Sequence, residues 1–151
     1  MSKTKKSDKT DPKKEFNTFR FTDYKVYHES KKWYQEVLQL RGVLEATALW
    51  NPLKGNLHSL VMNIAAASTK LPMDAKRYLG NGITAINKAV ACLDIACDEG
   101  AIDPDEFSVF TEGFKGMVIQ LKSFIKALGA ARPPKGEQTP ETQAGADSVT
   151  A

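Results

Sequence analysis

Histidine and cysteine are scarce in this chain, two of each in 151 residues, and that scarcity removes most metal chemistry at once. Cys92 and Cys97 lie five apart on one predicted helix, about 140° around its axis, so they cannot bridge each other there. Two thiols without neighbouring histidines make no zinc set either; small packing roles are expected. His28 and His58 fall on different predicted helices, and solvated or cap-like roles are expected for them.

Long apolar runs are lacking too. No stretch approaches the 18 or so residues that a membrane span needs, and no apolar segment follows the charged N-terminus as a secretory signal would require. A cytoplasmic protein that does not enter a membrane is therefore expected. No G-x-x-x-x-G-K-[ST] phosphate loop and no H-E-x-x-H pair occurs. "GNGITA" (Gly80 to Ala85) formally matches a dinucleotide pattern, but that pattern works only where a strand turns into a helix. Asp94, Asp98 and Glu99 cluster near one helix end with no histidine in register. The paired Glu-x-x-His motifs of di-iron bundles are absent. No local pattern assembles nucleophile, base and oxyanion donors, so neither catalysis nor a cofactor is expected.

What is present is helical periodicity, in four segments with almost no strand-like alternation. The first opens at "FTDYKV", with Thr22 as expected N-cap, Phe21 stapling onto Val26, and a buried stripe of Val26, Ser30, Trp33, Val37, Leu40 and Leu44. The second opens at "NPL", Asn51 capping and Pro52 at the first helical position; its stripe is Leu53, Leu57, Leu60, Ile64 and Ala67. The third begins near Asp74 and runs to Gly100, a plausible residue just past a helix end. In "IDPDEF" Asp103 caps, Pro104 takes the first position, Glu106 reaches back and Ile102 staples onto Phe107. The fourth stripe runs Phe107, Phe110, Phe114, Met117, Leu121, Phe124 and Leu128. The expected fold is all-α, an antiparallel up-down-up-down four-helix bundle over residues 16–129. The flanks 1–15 and 130–151 lack large apolar side chains and are expected to be disordered.

The third segment carries a second, smoother stripe of Gly82, Ala85, Ala89, Cys92 and Ala96. Asn63 and Ala66 lie in "MNIAAAST", where three alanines leave room for a neighbour. Asn63, Ala66, Gly82, Ala85 and Ala89 are therefore expected at a close helix–helix or subunit contact, with the Asn63 amide needing a partner if buried.

Net charge is +3, concentrated on the lysine-rich N-terminal tail. Within the predicted bundle, Lys115, Lys122 and Lys126 recur opposite the phenylalanine stripe. Lys25, Lys31 and Lys32 lie on the first helix, and Lys76, Arg77 and Lys88 on the third. These nine are the candidate phosphate-holding residues; on a ring of subunits their fields would add.

With these residues placed, the chain resembles a bacterial four-helix-bundle family whose best-known members are encoded in intervening sequences of ribosomal RNA genes. "FTDYKVY" (Phe21 to Tyr27) is similar to the family's F-x-D-L-x-V-W opening, "NIA" (Asn63 to Ala65) to the start of its N-I-A-E-G element, and "EGAIDPDEF" to its last inter-helix turn. The family's Glu-Gly is Ala66-Ala67 here, and its mid-helix Glu is Lys88. Tyr78, Asn81 and Gly82 look like the pattern of a related branch, the accessory protein of diversity-generating retroelements. The resemblance implies a non-catalytic homopentamer that binds RNA or DNA and a reverse transcriptase. The alternative it leaves open is a structural or protein-interaction module with no nucleic-acid role, favoured by the near-neutral bundle.

Overall fold

A computed structural model of the chain describes residues 18–130. The expected disordered flanks lie outside the described residues, except for Ala130 at a helix end. The described chain is all-helical, without strands. Four long helices carry it: α1 (Lys25–Leu38), α3 (Trp50–Ala67), α4 (Pro72–Asp98) and α5 (Pro104–Ala130), with a one-turn α2 (Arg41–Leu44) between the first two.

The predicted stripes form the core. Val37, Leu44, Leu53, Leu57, Leu60, Ile64, Leu79, Leu93, Met117 and Leu121 are fully buried; at about 1.5–3 kcal/mol per buried large aliphatic side chain, they are the main stabilising term. Ser30 is also fully buried, and its hydroxyl donates to the Tyr27 carbonyl at 2.7 Å, so the burial strands no polar group. Trp33 meets Phe110 and Phe114 with ring centroids 6.0 and 5.8 Å apart, and Tyr24 meets Phe124 edge-on at 5.1 Å.

Helix ends follow local chemistry, with three departures from expectation. Residues Arg20–Asp23 form a 3-10 turn and α1 starts only at Lys25. The Thr22 hydroxyl donates back to the Phe19 carbonyl at 2.8 Å instead of capping forward, and Phe21 meets Tyr27 edge-on, centroids 4.8 Å apart. The first helix also tightens at its far end. Gln39 and Leu40 donate to Glu36 and Val37, i to i−3, so the chain overwinds before α2 and both Leu40 and Leu44 still reach the core. Finally, α3 begins at Trp50, two residues ahead of Pro52. Thr47 Oγ1 accepts from the Leu49 N–H at 3.2 Å, and Trp50 is buried. Pro52 then sits in the first turn, where its missing N–H has no partner to lose.

The last connection matches its sequence closely. Gly100 has φ +80°, its N–H donates to the Cys97 carbonyl at 3.0 Å, and the Ala101 N–H donates to Ala96 at 2.9 Å. That is the two-bond helix stop for which glycine is suited. Two residues on, the Glu106 N–H donates to Asp103 Oδ1 at 2.8 Å and the Asp103 N–H to Glu106 Oε1 at 3.1 Å, a reciprocal capping box.

Candidate nucleic-acid-binding surface

The smooth stripe of α4 faces its own neighbours within the chain. Gly82, Ala85 and Ala89 are buried, and a Cβ on Gly82 would stand 3.3 Å from Leu60 Cδ1 and 3.8 Å from Leu121 Cδ1. Helix α4 thus packs closest where its side chains are smallest. Asn63 and Ala66 on α3 are half-buried. The Asn63 amide donates to the carbonyl and hydroxyl of Ser59, at 2.8 and 3.1 Å, so its partner lies one turn back on its own helix. The end of "MNIAAAST" is equally self-contained. Ser68 and Thr69 hydroxyls donate to the Ala65 and Ala66 carbonyls, satisfying groups that a helix end leaves open.

The basic residues are gathered in a way that linear order conceals. Arg20, Tyr24, Lys70, Ala75, Phe124 and Leu128 line one cavity, and the Lys76 ammonium lies 3.5 Å from where a Gly129 Cβ would stand. The start of α1, the α3–α4 connection and the last turns of α5 therefore share one end of the molecule. Among the described residues that end carries seven cations, Arg20, Lys25, Lys70, Lys76, Arg77, Lys122 and Lys126, against three carboxylates, Asp23, Glu29 and Asp74. Arg20 and Lys70 belong to the cluster although sequence reasoning passed over them: each stands alone in its local stretch.

The opposite end has the reverse balance. Glu36 and Glu106 line a shared cavity there. With Glu45, Asp94, Asp98, Glu99, Asp103 and Asp105 they make eight carboxylates against Arg41 and Lys54. Helices of 27 residues separate the two ends by about 40 Å at 1.5 Å per residue. That is several times the ~8 Å screening length at physiological salt. The two fields therefore do not cancel, and the small net charge of the bundle describes neither of them.

Lys31, Lys32, Lys88 and Lys115 lie along the middle, outside the basic end. Lys31 and Lys32 drape over Tyr27 and Trp33, 4.8 and 5.1 Å from the ring centroids. At the basic end Lys70 and Arg77 both approach Tyr78, each 5.2 Å from its centroid. Arg77 also pairs with Asp74 at 3.1 Å and Lys25 with Glu29 at 4.0 Å, weak exposed contacts that a phosphate can displace. Among the described residues Lys76, Lys88, Lys115, Lys122 and Lys126 have no ion pair.

The other candidates are placed as follows. His28 Nε2 lies 2.7 Å from the Thr22 carbonyl, and His58 contacts the Tyr34 ring, centroids 6.4 Å apart. Among the described residues no three His, Cys, Asp or Glu side chains come together as a metal set, and no helix is long and apolar enough to cross a membrane. Burial raises the pKa of the Cys92 thiol. The Cys97 thiol is raised too, by desolvation first and then by the carboxylates of Asp98, Asp94 and Asp103.

Comparison with known proteins finds no matching family model, no matching curated protein and no matching solved structure.

Proposed function

We infer that this protein is a non-catalytic nucleic-acid-binding accessory protein that holds RNA or DNA by its phosphates on the basic end of the bundle. The observation that carries the inference is the seven-to-three excess of cations gathered there. Lysine and arginine at this density neutralise phosphates and release counterions without reading sequence. Lys31, Lys32, Lys88 and Lys115 extend the positive field along the flanks.

The resemblance to the retroelement accessory proteins adds the rest of the reading: a cytoplasmic homopentamer that assists a reverse transcriptase. An antiparallel up-down-up-down arrangement is supported by paired contacts. Tyr24 meets Phe124 while Trp33, further along α1, meets the earlier Phe110 and Phe114; Lys76 neighbours Gly129 while Gly82 neighbours the earlier Leu121.

The test is charge reversal. Lys122→Glu with Lys126→Glu should weaken binding to a DNA duplex and to RNA by an order of magnitude or more, and reduce the salt slope by about 0.9 per lost phosphate contact on duplex. Lys54→Glu, at the acidic end, should leave both unchanged. Equal effects at the two ends would overturn the assignment of the surface. The second reading, a protein-interaction module, is favoured by the eight-to-two excess of carboxylates at the opposite end. It gains if the wild-type protein binds no nucleic acid at low salt.

A further inference from the structure

Between α3 and α4 runs an outer groove of unusual chemistry. It encloses about 250 Å³ and is lined by Asn56, Ser59 and Asn63 from α3 and by Asn81, Thr84 and Lys88 from α4, with Ala85 between them. On each helix the polar residues repeat at 3-then-4 spacing, so each set forms one line along its helix and the two lines face each other. No carboxylate lines the groove. The α4 line continues one turn further to Arg77, again four residues away, and so enters the basic end described above.

The α3 side of the groove spends part of its hydrogen bonding on its own helix, and the α4 side spends none. Asn56 Nδ2 donates to the Pro52 carbonyl at 2.8 Å, and Asn63 Nδ2 donates to Ser59. Both amides spend a donor on their own helix, and neither Oδ1 accepts a hydrogen bond among the described residues. Asn81, Thr84 and Lys88 likewise have no partner among the described residues. The groove therefore offers free acceptors at Asn56 and Asn63, free donors and acceptors at Asn81 and Thr84, and an unpaired ammonium at Lys88; Arg77, paired with Asp74 at 3.1 Å, stands one turn beyond it at the basic end. Arg77 and Lys88 are separated by eleven residues of helix, about 16 Å. A ligand that fits carries hydroxyls, which both donate and accept, beside anionic groups, which describes a ribose-phosphate backbone.

We propose that this groove is a ribose-reading subsite, in which Arg77 and Lys88 hold phosphates two to three nucleotides apart on a single strand and the Asn56, Asn63 and Asn81 amides take the intervening 2′-hydroxyls. The proposal rests on the nucleic-acid reading above and sharpens it: the basic end holds phosphates of either polymer, and the groove makes the protein prefer RNA. The 2′-hydroxyl is both donor and acceptor and is the group by which a protein separates RNA from DNA. One or two neutral hydrogen bonds correspond to a preference of about three- to tenfold.

The experiment compares a fluorescein-labelled, unstructured RNA oligonucleotide with the DNA of the same sequence, by anisotropy at fixed salt, using the full chain. The wild type should bind the RNA about three- to tenfold more tightly. Asn81→Ala, an exposed position whose loss leaves the core untouched, should bring the ratio to about one while leaving the DNA affinity unchanged. Lys88→Gln should weaken both polymers, and Lys122→Gln with Lys126→Gln should weaken both while keeping the ratio. Tight but equal binding of the two by the wild type overturns the subsite and leaves the basic end standing. So does a preference that survives Asn81→Ala. Binding of neither polymer overturns the nucleic-acid reading and the subsite with it.

Discussion

Gly113 is the position at which the packing of α5 on α1 can be tested most sharply. A Cβ there would overlap the benzo edge of the Trp33 indole, at Cζ2, Cε2 and Cη2. The ring is held on its other sides by Phe110 and Phe114, so it cannot yield without losing those contacts. Overpacking of this kind costs about 1–3 kcal/mol, and each disturbed aromatic pair is worth about 0.5–1.5 kcal/mol. Against this, replacing glycine by alanine within a helix contributes about 1 kcal/mol of stability. The net expectation for Gly113→Ala is a loss of about 1–2 kcal/mol, or a fall in Tm of roughly 4–8 °C. Gly116 provides the control, being on the same helix with nothing within 4 Å of its would-be Cβ. There the propensity term stands alone, and Gly116→Ala should gain about 0.5–1 kcal/mol. Urea and thermal unfolding followed by far-UV circular dichroism, at one fixed protein concentration, give both numbers. If Gly113→Ala is as stable as Gly116→Ala, Trp33 does not lie where the packing argument requires.

Asp103→Ala removes the acceptor for the Glu106 N–H and should lower stability by about 1 kcal/mol, measurable as a shift in urea midpoint with unchanged slope. Gly100→Ala forces a side chain onto a backbone with φ +80° and should cost on the order of 1 kcal/mol in the same assay. The raised pKa of Cys97 means less thiolate than a free cysteine carries at the same mildly alkaline pH, because thiolate forms only as pH approaches the pKa. Iodoacetamide should therefore label Cys97 more slowly than it labels a cysteine peptide. Labelling should speed up in Asp94→Asn or Asp98→Asn, which remove charges that oppose ionisation; faster labelling of the wild type than of the peptide would contradict that electrostatic account.

The helices were legible where local chemistry decides. The capping box at Asp103 and Glu106, the stop at Gly100 and the buried stripes of α3 to α5 all follow from spacing and residue type. The misread ends share a cause: tertiary packing competes with a local signal and wins. Trp50 is drawn into the core and starts α3 ahead of Asn51, while the i to i−3 bonds of Gln39 and Leu40 end α1 ahead of α2. The site was less legible than the fold. Lysines on α4 and α5 could be placed on helix faces, but which helix ends meet is a property of the packed molecule. Arg20 and Lys70 gain meaning only beside Lys76 and Lys126. Near-neutral net charge pointed away from nucleic acid for the same reason, since a sum over residues averages two ends that lie about 40 Å apart. The polar groove was hidden too. Asn63 and Asn81 lie on separate segments of the sequence, and only the pairing of α3 with α4 sets them across from one another.

The central claim, that the basic end holds phosphates, is tested most directly by a salt series on a DNA duplex. The full-length wild type is compared with a variant carrying Lys70→Gln, Lys76→Gln, Lys122→Gln and Lys126→Gln, so that the lysine-rich tail is common to both. Four contacts correspond to a slope of about −3.6 in log affinity against log salt, or a loss of about a hundredfold between about 50 and 200 mM. The account predicts a slope at least that steep for the wild type and, for the variant, much weaker binding with a slope shallower by about 3.6. Two superimposable salt curves, or no binding by the wild type at the lowest salt, would contradict it.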